Sequence, residues 1–435
     1  MLKKLFFLLV LSFSLVSAQN FEDCINPLWY FQNFGSANAA LANNTTASSN
    51  SVSALASNPA ILGETKRLSI SISFRNNNLT QDSKFNYSDN LINSTFNHSD
   101  LKKTNLDGIN LVIPVPVYRG SFVFGLSHST VANYFDHAEA IGDFIYDDAP
   151  FTVDNSFEKS GTMNVTRAGL AFEWQKNLYI GTSLNYYRGN QNQEYNFTDR
   201  DISDNFLYSA IHKNVAVNPD YSGINLNVGL LYKTEFFKFG ANISTPFILH
   251  VDEDYDGSEK WTYDDGTSEI ENYSDRITYQ IKSPSAVSTG IEYRLGNIML
   301  LFDVKMQDWH NMKFQSNLTD DDGLSTDKRI NSEIRNNLKT TFDWGFGCST
   351  NFFDNYRFNL GHRIITLPYY DLPEGDEKVH LTGIGFETQL LNNFHMGLTY
   401  QFELGKSTIN KEYFEYPIYR KYNSQNLIIT TSFFF

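Results

Sequence analysis

The sequence predicts an all-β fold, a 14-stranded antiparallel transmembrane barrel with an N-terminal hatch in its lumen. Three observations predict it. Apolar side chains recur at every second residue in fourteen separate rows. The connections between rows alternate between long and short. Beyond the first residues, no stretch is apolar for the ~20 residues that a membrane helix needs.

The chain opens on Lys3 and Lys4, followed by an apolar stretch from Leu5 to Val16 and the small residues Val16-Ser17-Ala18. This is the pattern of a signal peptide over residues 1–18, with Gln19 as the mature N-terminus. Residues 19–66 lack alternation and are rich in small and polar residues, including Gly35-Ser36-Ala37 and Ala54-Leu55-Ala56-Ser57-Asn58-Pro59-Ala60. Small residues permit close packing. With the apolar run Pro27-Leu28-Trp29-Tyr30-Phe31, they favour a plug folded into the lumen over a periplasmic tail.

Residues 67–435 carry the rows. The cleanest runs from Arg67 to Phe74, with Leu68, Ile70, Ile72 and Phe74 on one face and Ser69, Ser71 and Ser73 on the other. Comparable rows begin at Ile109, Phe122, Ala168, Leu178, Ile224, Phe237, Val287, Ile298, Phe342, Tyr356, Ile384, Phe394 and Leu427. Alternation of period two marks a strand with one apolar face. The long connections are 76–105, 130–161, 189–221, 248–282, 309–338, 365–377 and 405–425. The short ones lie near Tyr118-Arg119, Gln175-Lys176, Glu235, Gly296, Phe353-Asp354 and Asn392-Asn393. Long loops on one side and tight turns on the other is the arrangement of bacterial outer-membrane barrels. It puts the N- and C-termini on the periplasmic side. Backbone groups in hydrocarbon must all be paired, so the sheet closes on itself. The polar register then faces the lumen, with Asn225, Asn227, Lys238, Asp303, Lys305, Asp343, Arg357 and Arg363 on it. Trp174, Trp344, Tyr186 and Tyr400 are candidates for the interface girdles. The terminal Phe433-Phe434-Phe435 resembles the signal read by the barrel assembly machinery.

Composition fits an apolar outside and a wet inside: 36 Phe, 25 Tyr, and Asn and Ser between the rows. The net charge of −15 argues against nucleic acid as a partner. Cys24 and Cys348 are distant, and the second falls on the lipid-facing register, so two free thiols are expected. Asp252-Glu253-Asp254-Tyr255-Asp256-Gly257 opens like a calcium loop, but its twelfth position is Tyr263 in place of the bidentate Glu. Together with Asp320-Asp321-Asp322-Gly323 it reads as solvated acidic loop. The nine histidines show no metal-ligand spacing and no nucleophile motif is present, so neither a metal, a cofactor nor an enzyme is expected.

The Ala54–Ala60 segment, with its Asn-Pro-Ala just upstream of the first strand, resembles the hatch of the FadL/TodX family of outer-membrane long-chain fatty acid and hydrocarbon transporters. The resemblance continues in Pro114-Val115-Pro116-Val117-Tyr118-Arg119-Gly120-Ser121, Ser244-Thr245-Pro246, Pro284, Asp303-Val304 and Asp308-Trp309. It implies passive uptake of a hydrophobic small molecule, such as a fatty acid or hydrocarbon, in a membrane of lipid and lipopolysaccharide. It also implies a hatch gate at Asn58, Pro59 and Ala60. Arg67, Arg167 and Arg363 are candidate cations for a carboxylate head group. Their simpler role is in internal salt bridges with Asp303, Asp343, Glu173 or Glu403. The alternative is a FadL-like barrel that acts through protein partners, as a secretion shuttle of the type nine kind or a surface receptor. A hydrophobic path through the interior would favour transport, and a sealed lumen with partner-binding loops the alternative.

Overall fold

The computed structural model describes residues 21–28, 32–48, 53–86, 90–146, 149–318, 325–353, 355–370, 377–409 and 416–435. The signal-peptide stretch 1–18, residues Trp29–Phe31 and the acidic run Asp320–Gly323 lie outside the described residues.

One antiparallel sheet contains every described strand: β1 Ser69–Phe85, β2 Leu91–Ser94, β3 Asn97–Val115, β4 Phe122–Asn133, β5 Asp136–Tyr146, β6 Ala149–Gln175, β7 Leu178–Asp201, β8 Tyr208–Lys233, β9 Phe237–Ser244, β10 Ile248–Tyr263, β11 Ser268–Lys282, β12 Ala286–Leu295, β13 Ile298–Asp308, β14 Lys313–Ser316, β15 Thr340–Phe352, β16 Tyr356–Thr366, β17 Lys378–Leu391, β18 Phe394–Ile409 and β19 Ile418–Phe434. Fourteen form the wall; β2, β5, β10, β11 and β14 belong to the outer connections. The sheet closes where β1 pairs β19, Ser69 opposite Phe434, and the Phe435 amide donates to the Leu68 carbonyl at 2.8 Å. Closure leaves no wall strand with an unpaired edge in hydrocarbon.

All fourteen predicted rows fall on wall strands, and their apolar side chains point outward. Phe74, Phe346 and Leu398 are 49%, 53% and 44% exposed, while their neighbours Ser73, Gly345 and Thr399 are buried in the lumen. A charge on the outer face would cost about 2–4 kcal/mol near the midplane, which is why the charged register lies inside. Tight turns close one end: Asn177, at φ 68°, joins β6 to β7, and Gly296, at φ 58°, joins β12 to β13. No disulfide forms among the described residues: Cys24 is buried and Cys348 lies on the outer face.

The long connections are largely strand, which corrects the expectation of loops. Over 189–221, β7 runs on to Asp201 and β8 starts at Tyr208, so only six residues turn. Residues 248–282 form the hairpin β10–β11, paired to β8. Residues 309–338 hold β14 and the helix Thr326–Asn337, whose Ile330 and Ile334 are fully buried. Beyond the membrane the outer face meets water, so strands continue without an apolar row. The supposed calcium loop is part of β10. Alternation sends Glu253 inward to accept from the Tyr279 hydroxyl at 2.9 Å, while Asp252 faces out and accepts from Arg276 at 2.5 and 2.9 Å.

Candidate functional site

The N-terminal segment packs inside the wall, and glycine on the lumen register makes the room. Gly125 stands opposite Gly169, Gly181 opposite Gly229, Gly240 opposite Gly290, and Gly361 between Gly347 and Gly383. Along this bare track the segment's backbone touches the sheet. A Cβ on Gly361 would lie 2.1 Å from the Leu41 carbonyl carbon, and one on Gly383 2.0 Å from the Ala39 oxygen. Only glycine admits such an approach.

Side chains fasten the segment to the wall. Asn58 is fully buried between a short helix, Ala54–Ser57, and a 3-10 turn, Pro59–Glu64. Its amide donates to the Thr46 carbonyl (2.8 Å) and the Leu230 carbonyl of β8 (3.0 Å), and its oxygen accepts from the Ala60 amide (3.0 Å). Asn44 reaches the Phe346 and His362 carbonyls, both at 3.0 Å. Asp303 accepts from the Thr46 amide at 2.8 Å. The buried pair Arg75–Asp107 (2.8 Å) holds the front of the segment: Asp107 accepts from the Gly35 amide and Arg75 donates to the Asn33 carbonyl. At the end closed by the tight turns Glu64 lies between Lys233 (2.7 Å) and Lys238 (2.8 Å). Burial there raises the Glu64 pKa, but the two ammonium groups outweigh it and leave the carboxyl below its ordinary value.

The lumen is layered. Near the tight-turn end Leu55, Ile61 and Leu62 pack against Val112, Val123 and Leu231. Towards the end with the long connections Ile25, Leu28, Tyr187, Phe247, Trp309 and the helix residues Ile330 and Ile334 form a second apolar layer. Phe85, Phe144, Tyr195 and Val215 form a third above it.

Between the first two layers lies a cavity of about 230 Å³, bounded by the segment and the wall. Leu28, Tyr187, Phe247 and Trp309 give it an apolar side; Arg167, Lys305 and Arg363 line it with Asp343. Arg167 donates to the Ser129 hydroxyl (2.8 Å) and Arg363 to the Asn43 carbonyl (3.0 Å). Neither closes an ion pair within 4 Å among the described residues, so the expected salt bridges with Asp303, Asp343, Glu173 or Glu403 are not formed. Asp343 instead accepts from the Thr366 amide at 3.0 Å.

Of the three predicted cations, Arg167 and Arg363 therefore share one cavity, whereas Arg67 lies exposed at the rim, donating to the Asn392 carbonyl at 3.4 Å. Pro59 and Ala60 are buried beside Gly181. Lys305, which the polar register puts in the lumen, lines the same cavity. The Arg75–Asp107 pair and the glycine track were not foreseen, although recurrent glycine on the lumen register was a visible signal.

Among solved structures, a FadL homologue from Pseudomonas aeruginosa superposes with a TM-score of 0.63 at 11% identity, over 93% of this chain and 99% of that one. The toluene transporter TodX from P. putida gives 0.61 at 13% identity, over 93% and 99%. The Ralstonia pickettii toluene transporter TbuX gives 0.57 at 13%, over 93% and 99%. No curated protein matches the sequence. The fold is thus that of the FadL and TodX barrels. The BamG family model matches residues 1–341, more than half of the chain, and the protein belongs to the BamG family.

Proposed function

We propose that the protein takes up hydrophobic small molecules with an anionic head, such as long-chain fatty acids, across the outer membrane. The observation that carries this reading is the cavity between segment and wall. It presents three cations to one carboxylate and has an aromatic side. A buried cation without a counter-charge costs several kcal/mol; a carboxylate head group would supply it, and the apolar layer above would receive the chain. The names of the solved neighbours, a FadL homologue and toluene transporters, agree with a hydrophobic solute. In this reading residues 19–66 are the hatch, and Asn58, Pro59 and Ala60 its gate. The clamp at Asn58 then has to release for solute to pass. Titration of the purified barrel with a fluorescent fatty acid tests it. Arg167→Gln/Arg363→Gln is expected to weaken binding about tenfold or more, one head-group interaction being worth ~1.5–3 kcal/mol. Binding equal to wild type would remove the site.

A second reading is favoured by the family match and by the layered lumen. The family's name points to the β-barrel assembly machinery, and a closed barrel with a large folded outer sheet suits a protein partner. Depletion distinguishes the two. Loss of other outer-membrane barrels at intact fatty acid uptake supports assembly; loss of uptake with normal barrel levels supports transport.

A further inference from the structure

We propose that the outer surface of the wall, at the extracellular edge of the lipid band between β7 and β14, binds the phosphorylated sugar head of an outer-leaflet glycolipid. The observation is a pair of side-chain rows in register across five strands. The lower row reads Tyr186, Ile224, Ile248, Lys282, Lys313; the next reads Arg188, Ser222, His250, Gln280, Gln315. All face outward; Ser222 is half-buried and the other nine are exposed.

On β8 the outward residues below this level are the apolar Leu226, Val228 and Tyr232, and the one above is Asp220. The two rows thus mark the height at which acyl chains give way to head groups. Strands stand about 4.8 Å apart, so each row spans about 19 Å, the width of a glycolipid head with several acyl chains beneath it.

Charge and shape select the occupant. Lys282 and Lys313 stand directly opposite each other, an arrangement that destabilises a ladder unless an anion is shared. Neither they nor Arg188 closes an ion pair within 4 Å among the described residues. The nearby Asp252 is held by Arg276, which leaves the cations at the lipid edge to a ligand. Above them lies a hollow of about 660 Å³ lined by Arg188, Ser222, His250 and Gln280 together with two carboxylates, Asp220 and the Arg276-paired Asp252. The lysine pair at the base suits a phosphate, and the amide, hydroxyl and carboxylate groups above it suit sugar hydroxyls.

The test uses the full barrel in mild detergent, titrated with bis-phosphorylated lipid A and read by native mass spectrometry, counting only molecules that keep the heat-modifiable gel mobility of a folded barrel. Wild type is expected to retain the glycolipid. Lys282→Ala/Lys313→Ala should bind it at least tenfold more weakly, whereas Lys102→Ala, on β3, should bind as wild type does. Arg188→Gln provides an independent variant should the double one not fold. Phosphate-free lipid A should bind wild type as weakly as phosphorylated lipid A binds the double variant. Equal binding by wild type and folded variants, equal binding of phosphate-free lipid A, or displacement by equimolar phosphatidylglycerol would each overturn the proposal.

Discussion

Asn58 shows how one side chain can fasten a segment to a barrel wall. Its amide satisfies two carbonyls and one backbone amide at full burial. Asn58→Ala leaves the Thr46 and Leu230 carbonyls without their partner, at about 1–3 kcal/mol each. Amide exchange in residues 44–48 and 53–62 is expected to accelerate by one to two orders of magnitude while the wall strands keep their protection. Unchanged exchange would show that the clamp carries no load. Gly361→Ala makes the complementary test, because its methyl group would meet Leu41 backbone. Overpacking of this kind costs about 1–3 kcal/mol, and trypsin cleavage at Lys66 should quicken without loss of the barrel. Some of these residues were legible in the sequence. Asn-Pro-Ala stood out by its position, and Arg167 and Arg363 by a polar register inside an apolar row. Arg75–Asp107 was not legible, because the pairing depends on how β1 sits on β3, where the register shifts between Ser73 and Phe74. Arg67 lies at the rim, two residues before the closing pair Ser69–Phe434, and so outside the lumen.

At the scale of elements, period-two alternation reads the lipid, not the strand. All fourteen rows were legible because hydrocarbon demands an apolar side chain at each outward position. The same strands continue past the membrane with polar residues on the outer face, as in Gln191–Asp201 of β7, and there the signal disappears. The helix Thr326–Asn337 escaped for a related reason: only Ile330 and Ile334 mark its buried face. Ile334→Asp would place a charge in the second apolar layer, and its thermal unfolding is expected to lose a separate early transition while the barrel transition stays. The Glu64 latch gives a pH dependence. Its carboxyl is depressed in the folded chain, so its stabilisation is complete above the ordinary glutamate pKa and is lost as pH falls through the folded value. Protease access at Lys66 should therefore be flat from pH 8 to 5 and rise only in stronger acid, and Glu64→Gln should abolish that rise.

As a whole the molecule is a closed barrel with its N-terminal segment packed against the inner wall, and apolar layers lie on either side of a cationic cavity. A static lumen of this kind passes nothing, so the transport reading requires the segment to leave its track. Ser36 and Gly397 offer a lock, since a Cβ on Gly397 would lie 3.3 Å from the Ser36 Cβ, close to the separation in a disulfide. With Cys24 and Cys348 replaced by alanine, Ser36→Cys/Gly397→Cys in liposomes should take up labelled fatty acid only after reduction, and the oxidised form should be inactive. Equal uptake by the oxidised and reduced forms would contradict a lumen opened by movement of the N-terminal segment.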